Sequence, residues 1–145
     1  QKLIKKIKDS PLFRTYRCSP FTLYELQETT NKYISKRELG IPIWKMISLK
    51  YEDLYKRVEK ISKVIKFEHS IVDDYSIMGG GTMPDKKILS PVVKIGMLSN
   101  EHLLKKLISN STPIIPRTNK EKIVIDIRST DKKNDDKIID FFLSQ

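Results

Sequence analysis

Leu3, Ile4 and Ile7 fall at helical spacing within KLIKKIK, and Asp9-Ser10-Pro11 stops the helix they predict, because proline disfavours helical backbone in the residue before it. LFRTYRCSP follows, short and irregular, with two arginines three apart. Thr22 and Glu25 then form a T-x-x-E capping box, in which each side chain satisfies a free backbone N–H. Leu23, Leu26, Tyr33 and Ile34 line one face of the helix behind it, and Gly40 ends the region. Pro42 opens a short helical turn through Trp44, Met46 and Ile47, and Ser48 stands where it can cap a second long helix. The stripe of that helix, Tyr51, Leu54, Val58, Ile61 and Ile65, spans barely two heptads. A coiled-coil seam needs three or four, so the stripe predicts a face packed on a core.

The period changes at Phe67. FEHSIVDDYSIM reads as a strand, and PVVKIGML (91–98) as a second one beyond the loop GGGTMPDKKILS. SNEHLLKKLISN (99–110) predicts a helix capped by Ser99 that buries Leu103, Leu104, Leu107 and Ile108. PIIPRT (113–118) and KIVIDIR (122–128) are two further strands joined by a polar turn at Asn119-Lys120-Glu121. In the second of these, Ile123, Ile125 and Ile127 face one way and Val124, Asp126 and Arg128 the other. Asp135 to Leu143 closes the chain as an amphipathic helix with Ile138, Ile139, Phe142 and Leu143 inward.

Helices followed by β-β-α-β-β-α define an α/β (α+β) fold: a small, largely antiparallel sheet with helices on one face, preceded by two long helices. A soft boundary near Lys66 separates a helical segment, 1–66, from a small domain, 67–145. The front helices either cover the second sheet face or join the chain to a further domain.

Composition adds bounds. The 145 residues are 39% hydrophobic, enough for a core. No run of 18 apolar residues and no secretory leader is visible, so the expectation is a cytoplasmic protein without a membrane span. A lone Cys18 has no internal disulfide partner, which fits a reducing compartment, and with His69 and His102 it makes no zinc pattern. The net charge of +10 suits anionic partners. A lysine- and isoleucine-rich composition produces such a charge by itself.

Gly79-Gly80-Gly81 is not a phosphate-binding Walker loop, since no GK[ST] follows, nor a dinucleotide fingerprint, since no helix opens after it. It marks either a tight bend with positive φ or a place where backbone passes close to something. Arg14 and Arg17 make an anion site if their planar forks converge; otherwise they point to solvent or pair with a nearby glutamate. Arg117 and Arg128 read as sheet-edge residues, and His69 as a satisfied sheet residue. Asp73 and Asp74 point to opposite faces of a strand, a poor acid–base dyad. DKKNDDK reads as a solvated loop and helix start.

DSPLFRTYRCSPFTLYELQETTNKYI, IPIWKMISLKYEDLYKRVEKI, SIMGGGTMPDKKILSPVVKI and LLKKLISNSTPIIPRTNKEKIVIDIRST, in that order, resemble the C-terminal part of the bacterial selenocysteine synthase family, L-seryl-tRNA(Sec) selenium transferase. The resemblance runs over roughly residues 1 to 130. It is most specific in the PLxRxxR segment, the GGG-[ST]-x-P loop and the KIVIDIRS strand. It implies the C-terminal domain of a fold-type I pyridoxal 5'-phosphate (PLP) enzyme, closing over a large cofactor domain. The implied reaction converts seryl-tRNA(Sec) to selenocysteinyl-tRNA(Sec) with selenophosphate. It implies a Schiff-base lysine upstream of this chain, so that the chain alone is inactive, and a cytoplasmic homo-oligomer built from dimers, with neither metal nor membrane.

By the same resemblance Arg14 and Arg17 bind the selenophosphate anion. Gly79, Gly80, Gly81 and Thr82 form a loop near the active site, and Arg117 stands where many fold-type I enzymes bind a carboxylate. The family has Val-Asp-Lys where this chain has Cys18-Ser19-Pro20, and Gly-Glu where it has Asp85-Lys86-Lys87. Those departures leave open a related PLP lyase or transferase acting on a small amino acid or amino sugar phosphate, or a non-catalytic basic RNA-binding module.

Overall fold

The structure, a computed structural model, describes residues 1–78, 86–96, 101–119 and 121–145. The chain divides into two units, Gln1–Trp44 and Lys45–Gln145.

The first unit is helical: α1 (Lys2–Lys8), a 3₁₀ turn (Pro11–Arg14), α2 (Pro20–Ile34) and a second 3₁₀ turn (Glu38–Gly40). Helix α1 ends at Asp9 as the proline predicts. Helix α2 begins two residues before the expected capping box. Its N-cap is Ser19, whose Oγ accepts the Thr22 N–H at 3.1 Å, with Pro20 at the first helical position, where its missing donor costs nothing. Its C-terminus is not a glycine. Lys36 takes a left-handed φ of 54°; Arg37 N–H bonds Lys32 C=O at 2.8 Å, and Lys36 N–H bonds Tyr33 C=O at 3.1 Å. That is a Schellman motif with lysine where glycine is preferred. Trp44 Nε1 donates to Tyr33 Oη at 2.6 Å. No residue of this unit is buried.

α3 (Pro42–Ile47) leads to the second unit, which holds α4 (Tyr51–Ser62), β1 (His69–Ile77), β2 (Lys87–Gly96), α5 (Glu101–Ser109), β3 (Arg117–Thr118), β4 (Lys122–Ile125), a 3₁₀ turn (Lys132–Asn134) and α6 (Asp135–Leu143). The sheet order is β1-β2-β4-β3, each neighbour antiparallel. Val93, Ile95, Ile123 and Ile125 project from one sheet face. They pack with Leu54, Val58 and Ile61 of α4, Leu103 and Leu107 of α5, and Ile138, Phe141 and Phe142 of α6. Helix α4, grouped by sequence with the leading segment, thus shares the core of the sheet domain.

Several local expectations are corrected. Ser48 does not cap α4: its Oγ donates back to Lys45 C=O, and the N-cap position is Lys50. Strand β2 starts at Lys87, earlier than predicted, and runs through Pro91. This is tolerated because the β2–β4 ladder covers only Val93–Gly96, so the missing proline donor costs no bond there. Only Arg117 and Thr118 of PIIPRT pair, since Pro113 and Pro116 lack donors. Ile108 and Leu143 are about half exposed, and Phe141 is buried instead. Leu103/Leu107 and Ile138/Phe141/Phe142 set the inward directions of α5 and α6, and the two outliers lie off those stripes. Ser99 lies outside the described residues.

Two arginines that the hydrophobic pattern passed over hold the unit together. Arg57, on the α4 stripe, donates Nε and Nη2 to the two oxygens of Asp135 at 2.8 and 2.7 Å, and Nη2 also to Thr130 C=O at 2.9 Å. This bidentate pair fastens α4 to the start of α6. Arg128, read as a sheet-edge residue, is buried. Its Nη1 donates to the carbonyls of Met46, Ile47 and Leu49 and its Nη2 to Leu89, while Nε has no partner. Burial pushes the Arg128 guanidinium below its ordinary pKa.

Removing one partner of a buried pair strands the other charge, so Asp135→Ala is expected to lower unfolding free energy by about 3–5 kcal/mol, read from urea denaturation. Lys36→Gly is expected to act in the opposite direction, raising stability by about 1 kcal/mol as left-handed strain is relieved, read from the same midpoint. A midpoint that falls on Lys36→Gly contradicts the Schellman assignment.

Candidate functional site

Local hydrogen bonds set the backbone from Ser10 to Thr22. Ser10 Oγ accepts Leu12 N–H at 3.4 Å, Pro11 starts the 3₁₀ turn, Arg17 N–H bonds Arg14 C=O at 3.4 Å, and Ser19 begins α2. Arg14 and Arg17 therefore lie one turn apart at their backbones. Both side chains are exposed, and neither guanidinium has an ion-pair or hydrogen-bond partner among the described residues. Each exposed fork can take the oxygens of a phosphate-like anion.

Arg117 has a different setting. Its Nη1 donates to Tyr75 C=O at 3.0 Å, and its Nη2 meets Asp126 at 3.2 Å and Asp74 at 3.8 Å. Lys94 pairs with Asp74 at 3.1 Å. Asp126 also accepts from Ser76 Oγ at 2.6 Å, Ser90 Oγ at 3.2 Å and the Arg128 N–H at 3.1 Å. These residues form a polar network on the sheet face opposite the helices, with both terminal nitrogens of Arg117 already in use. Burial alone would raise the Asp74 pKa; the Tyr75 N–H and Lys94 outweigh it and hold the carboxyl below the usual aspartate range.

Other expected residues are placed plainly. Gly79, Gly80, Gly81 and Thr82 lie outside the described residues. His69 sits between Phe67 C=O and Ser62 Oγ, each at 2.7 Å, as a satisfied sheet residue. Asp73 and Asp74 do point apart, Asp73 accepting from Tyr51 Oη at 2.6 Å, a bond that pushes the Tyr51 pKa up to about 12. Cys18 is exposed. Among the described residues no group of three or more His, Cys, Asp or Glu could hold a metal, and no helix is long and apolar enough to cross a membrane. A cavity of about 260 Å³ lies between 112–116 and the start of α6, and Asp131 and Asp126 on its wall are spent on backbone N–H groups and the sheet-face network.

Sequence reasoning missed Arg57, Asp135, Asp126 and Lys94. Arg57 had a readable signal, since 54, 57, 58 and 61 share one helical face. The others act across the fold and leave no local trace.

The fold and its exposed features define a class: a small α/β domain with helices over one sheet face, attached to a basic helical unit presenting two unengaged arginines. The family model for L-seryl-tRNA selenium transferase (SelA) matches residues 1–131. An L-seryl-tRNA(Sec) selenium transferase of Clostridium botulinum is 30% identical over 98% of this chain and 33% of its own length. Those of Clostridium perfringens and Aliarcobacter butzleri are 34% identical over 89% of the chain and 30% and 29% of their lengths. This chain belongs to the L-seryl-tRNA selenium transferase family. It spans about a third of the length of these curated relatives.

The depressed Asp74 pKa has a pH consequence. A carboxylate whose folded pKa lies below its unfolded value, about 3.9, adds stability that is complete above that value and is lost as pH falls through the folded pKa. Asp74→Asn is therefore expected to destabilise the protein at pH 7, with the gap to the unaltered protein closing on acidification below about pH 4. Urea midpoints from pH 7 down to pH 2 measure it, and a gap that persists unchanged would refute the assignment.

Proposed function

We propose that this chain is the C-terminal part of a PLP-dependent enzyme that converts seryl-tRNA(Sec) to selenocysteinyl-tRNA(Sec), with Arg14 and Arg17 holding the selenophosphate donor. The observation that carries the reading is that pair: two exposed arginines one backbone turn apart, without partners among the described residues. Charge-assisted bonds from both forks would neutralise the phosphate oxygens and orient the selenium toward the seryl group.

The cofactor does not fit this chain alone. Every lysine among the described residues is exposed except Lys32 and Lys94, and Lys94 is paired with Asp74. No lysine here is assigned as the covalent anchor, and the chain by itself is expected to be inactive. When bound in the intact enzyme, PLP supplies the electron sink that lets the serine hydroxyl leave. The chain's own part is to bind and orient the anionic donor, with Gly79–Thr82 read as a loop near the active site. The intact protein is read as a cytoplasmic homo-oligomer built from dimers.

Arg117 is left out of the donor site, because Asp126, Asp74 and Tyr75 C=O occupy its terminal nitrogens. At the departure Cys18-Ser19-Pro20, Ser19 and Pro20 serve to start α2. A small-substrate PLP enzyme and a non-catalytic RNA-binding module are the rival readings.

In the intact enzyme, Arg14→Ala or Arg17→Ala is expected to cut selenophosphate-dependent turnover roughly ten- to a hundredfold, since each charge-assisted bond is worth about 1.5–3 kcal/mol, with the absorbance of bound PLP unchanged. Turnover equal to the unaltered enzyme would remove the pair from the donor site. Absence of any seryl-tRNA turnover by the unaltered enzyme would favour the small-substrate reading.

A further inference from the structure

The net charge of the first unit lies in its leading residues. Residues 1–17 hold six cations, Lys2, Lys5, Lys6, Lys8, Arg14 and Arg17, against one carboxylate, Asp9. In residues 18–44, Lys32, Lys36 and Arg37 are balanced by Glu25, Glu28 and Glu38. The ion pairs found among the described residues all lie in the second unit, so the cations of the leading stretch form none among those residues.

Helix α1 sorts this charge by face. Lys2, Lys5 and Lys6 stand at i, i+3 and i+4 and share one surface groove with Asp9 and Ser10. Leu3, Ile4 and Ile7 occupy the opposite face. With a rise of about 1.5 Å per residue, the three ammonium stems are spread over about 6 Å of helix axis. Each long, flexible stem can follow a neighbouring phosphate without reading a base.

We propose that the lysine face of α1, with Lys2, Lys5 and Lys6 at its centre, is an RNA-contact surface that grips the phosphate backbone of the tRNA substrate. The proposal rests on the functional reading above and extends it to the substrate's polyanionic part. A basic amphipathic helix can instead lie on an anionic membrane, but that binding scales with the apolar area the helix buries. Helix α1 has seven residues and three apolar side chains.

The test measures binding of seryl-tRNA to the intact protein over a range of salt, for the unaltered protein, for Lys2→Gln/Lys5→Gln/Lys6→Gln, and for a charge-matched control, Lys56→Gln/Lys60→Gln/Lys63→Gln on and just beyond α4. Glutamine keeps helix propensity close to that of lysine, and far-UV circular dichroism checks the fold. Losing three phosphate contacts is expected to flatten the slope of log K against log salt by about 2–3 and to weaken binding at least tenfold near 0.1 M salt. The control is expected to keep most of its slope.

An unchanged slope in the α1 variant, or equal flattening in both variants, overturns the surface. Phosphatidylglycerol vesicles are the second probe: an α1 variant that loses vesicle binding while keeping tRNA binding also overturns it, in favour of a membrane. If the unaltered protein binds no seryl-tRNA, the functional reading itself fails, a result distinct from a variant that binds as well as its parent.

Discussion

Arg128 places a cation where about 5% of the residue reaches solvent, and the second unit is arranged around keeping it there. A buried guanidinium is tolerated only if its donors find acceptors. Here the two terminal nitrogens find the carbonyls of Met46 and Ile47 at the end of α3, Leu49 just before α4, and Leu89 on β2, while Nε finds none among the described residues. The carbonyls at a helix C-terminus are those left without intrahelical partners and carry partial negative charge. One side chain thus satisfies a helix end, fixes the entry to α4, and ties both to the sheet. The apolar stripe of α4 then meets Val93, Ile95, Ile123 and Ile125, and Arg57 with Asp135 secures the start of α6.

Charge is used differently in the two units. In the second, the cations nearest the fold are consumed internally: Arg57 by Asp135, Arg128 by carbonyls, Arg117 and Lys94 by Asp74 and Asp126. In the first, Arg14, Arg17 and the lysines of α1 have no such partners among the described residues. An arginine whose fork is already filled organises its own fold. One left open on a braced turn is available to an outside anion. This distinction, rather than the net charge of +10, separates scaffold from candidate site.

Much of this was legible in the chain. The order of elements, the sheet's largely antiparallel character and the helices on one face follow from the change of period at Phe67. The alternation in KIVIDIR placed Ile123, Ile125 and Ile127 correctly in the core. Arg14 and Arg17 were legible as a spacing, though not as unpaired among the described residues. What escaped was decided by competition between local signals. Thr22 with Glu25 made a plausible cap, but Ser19 followed by Pro20 made a better one. Gly40 looked like the helix terminator, yet the chain turned at Lys36, where backbone bonds to Lys32 and Tyr33 outweigh the strain of a left-handed lysine.

The sequence by itself determined periodicity, hence which elements form and which face of each is apolar, because those depend on neighbours a few residues apart. Only the tertiary structure decided which polar side chains are spent. Arg57 and Asp135 are 78 residues apart, and Ser76 and Asp126 are 50 apart. Such partners are named by where strands and helices meet in space, and no local pattern records the meeting.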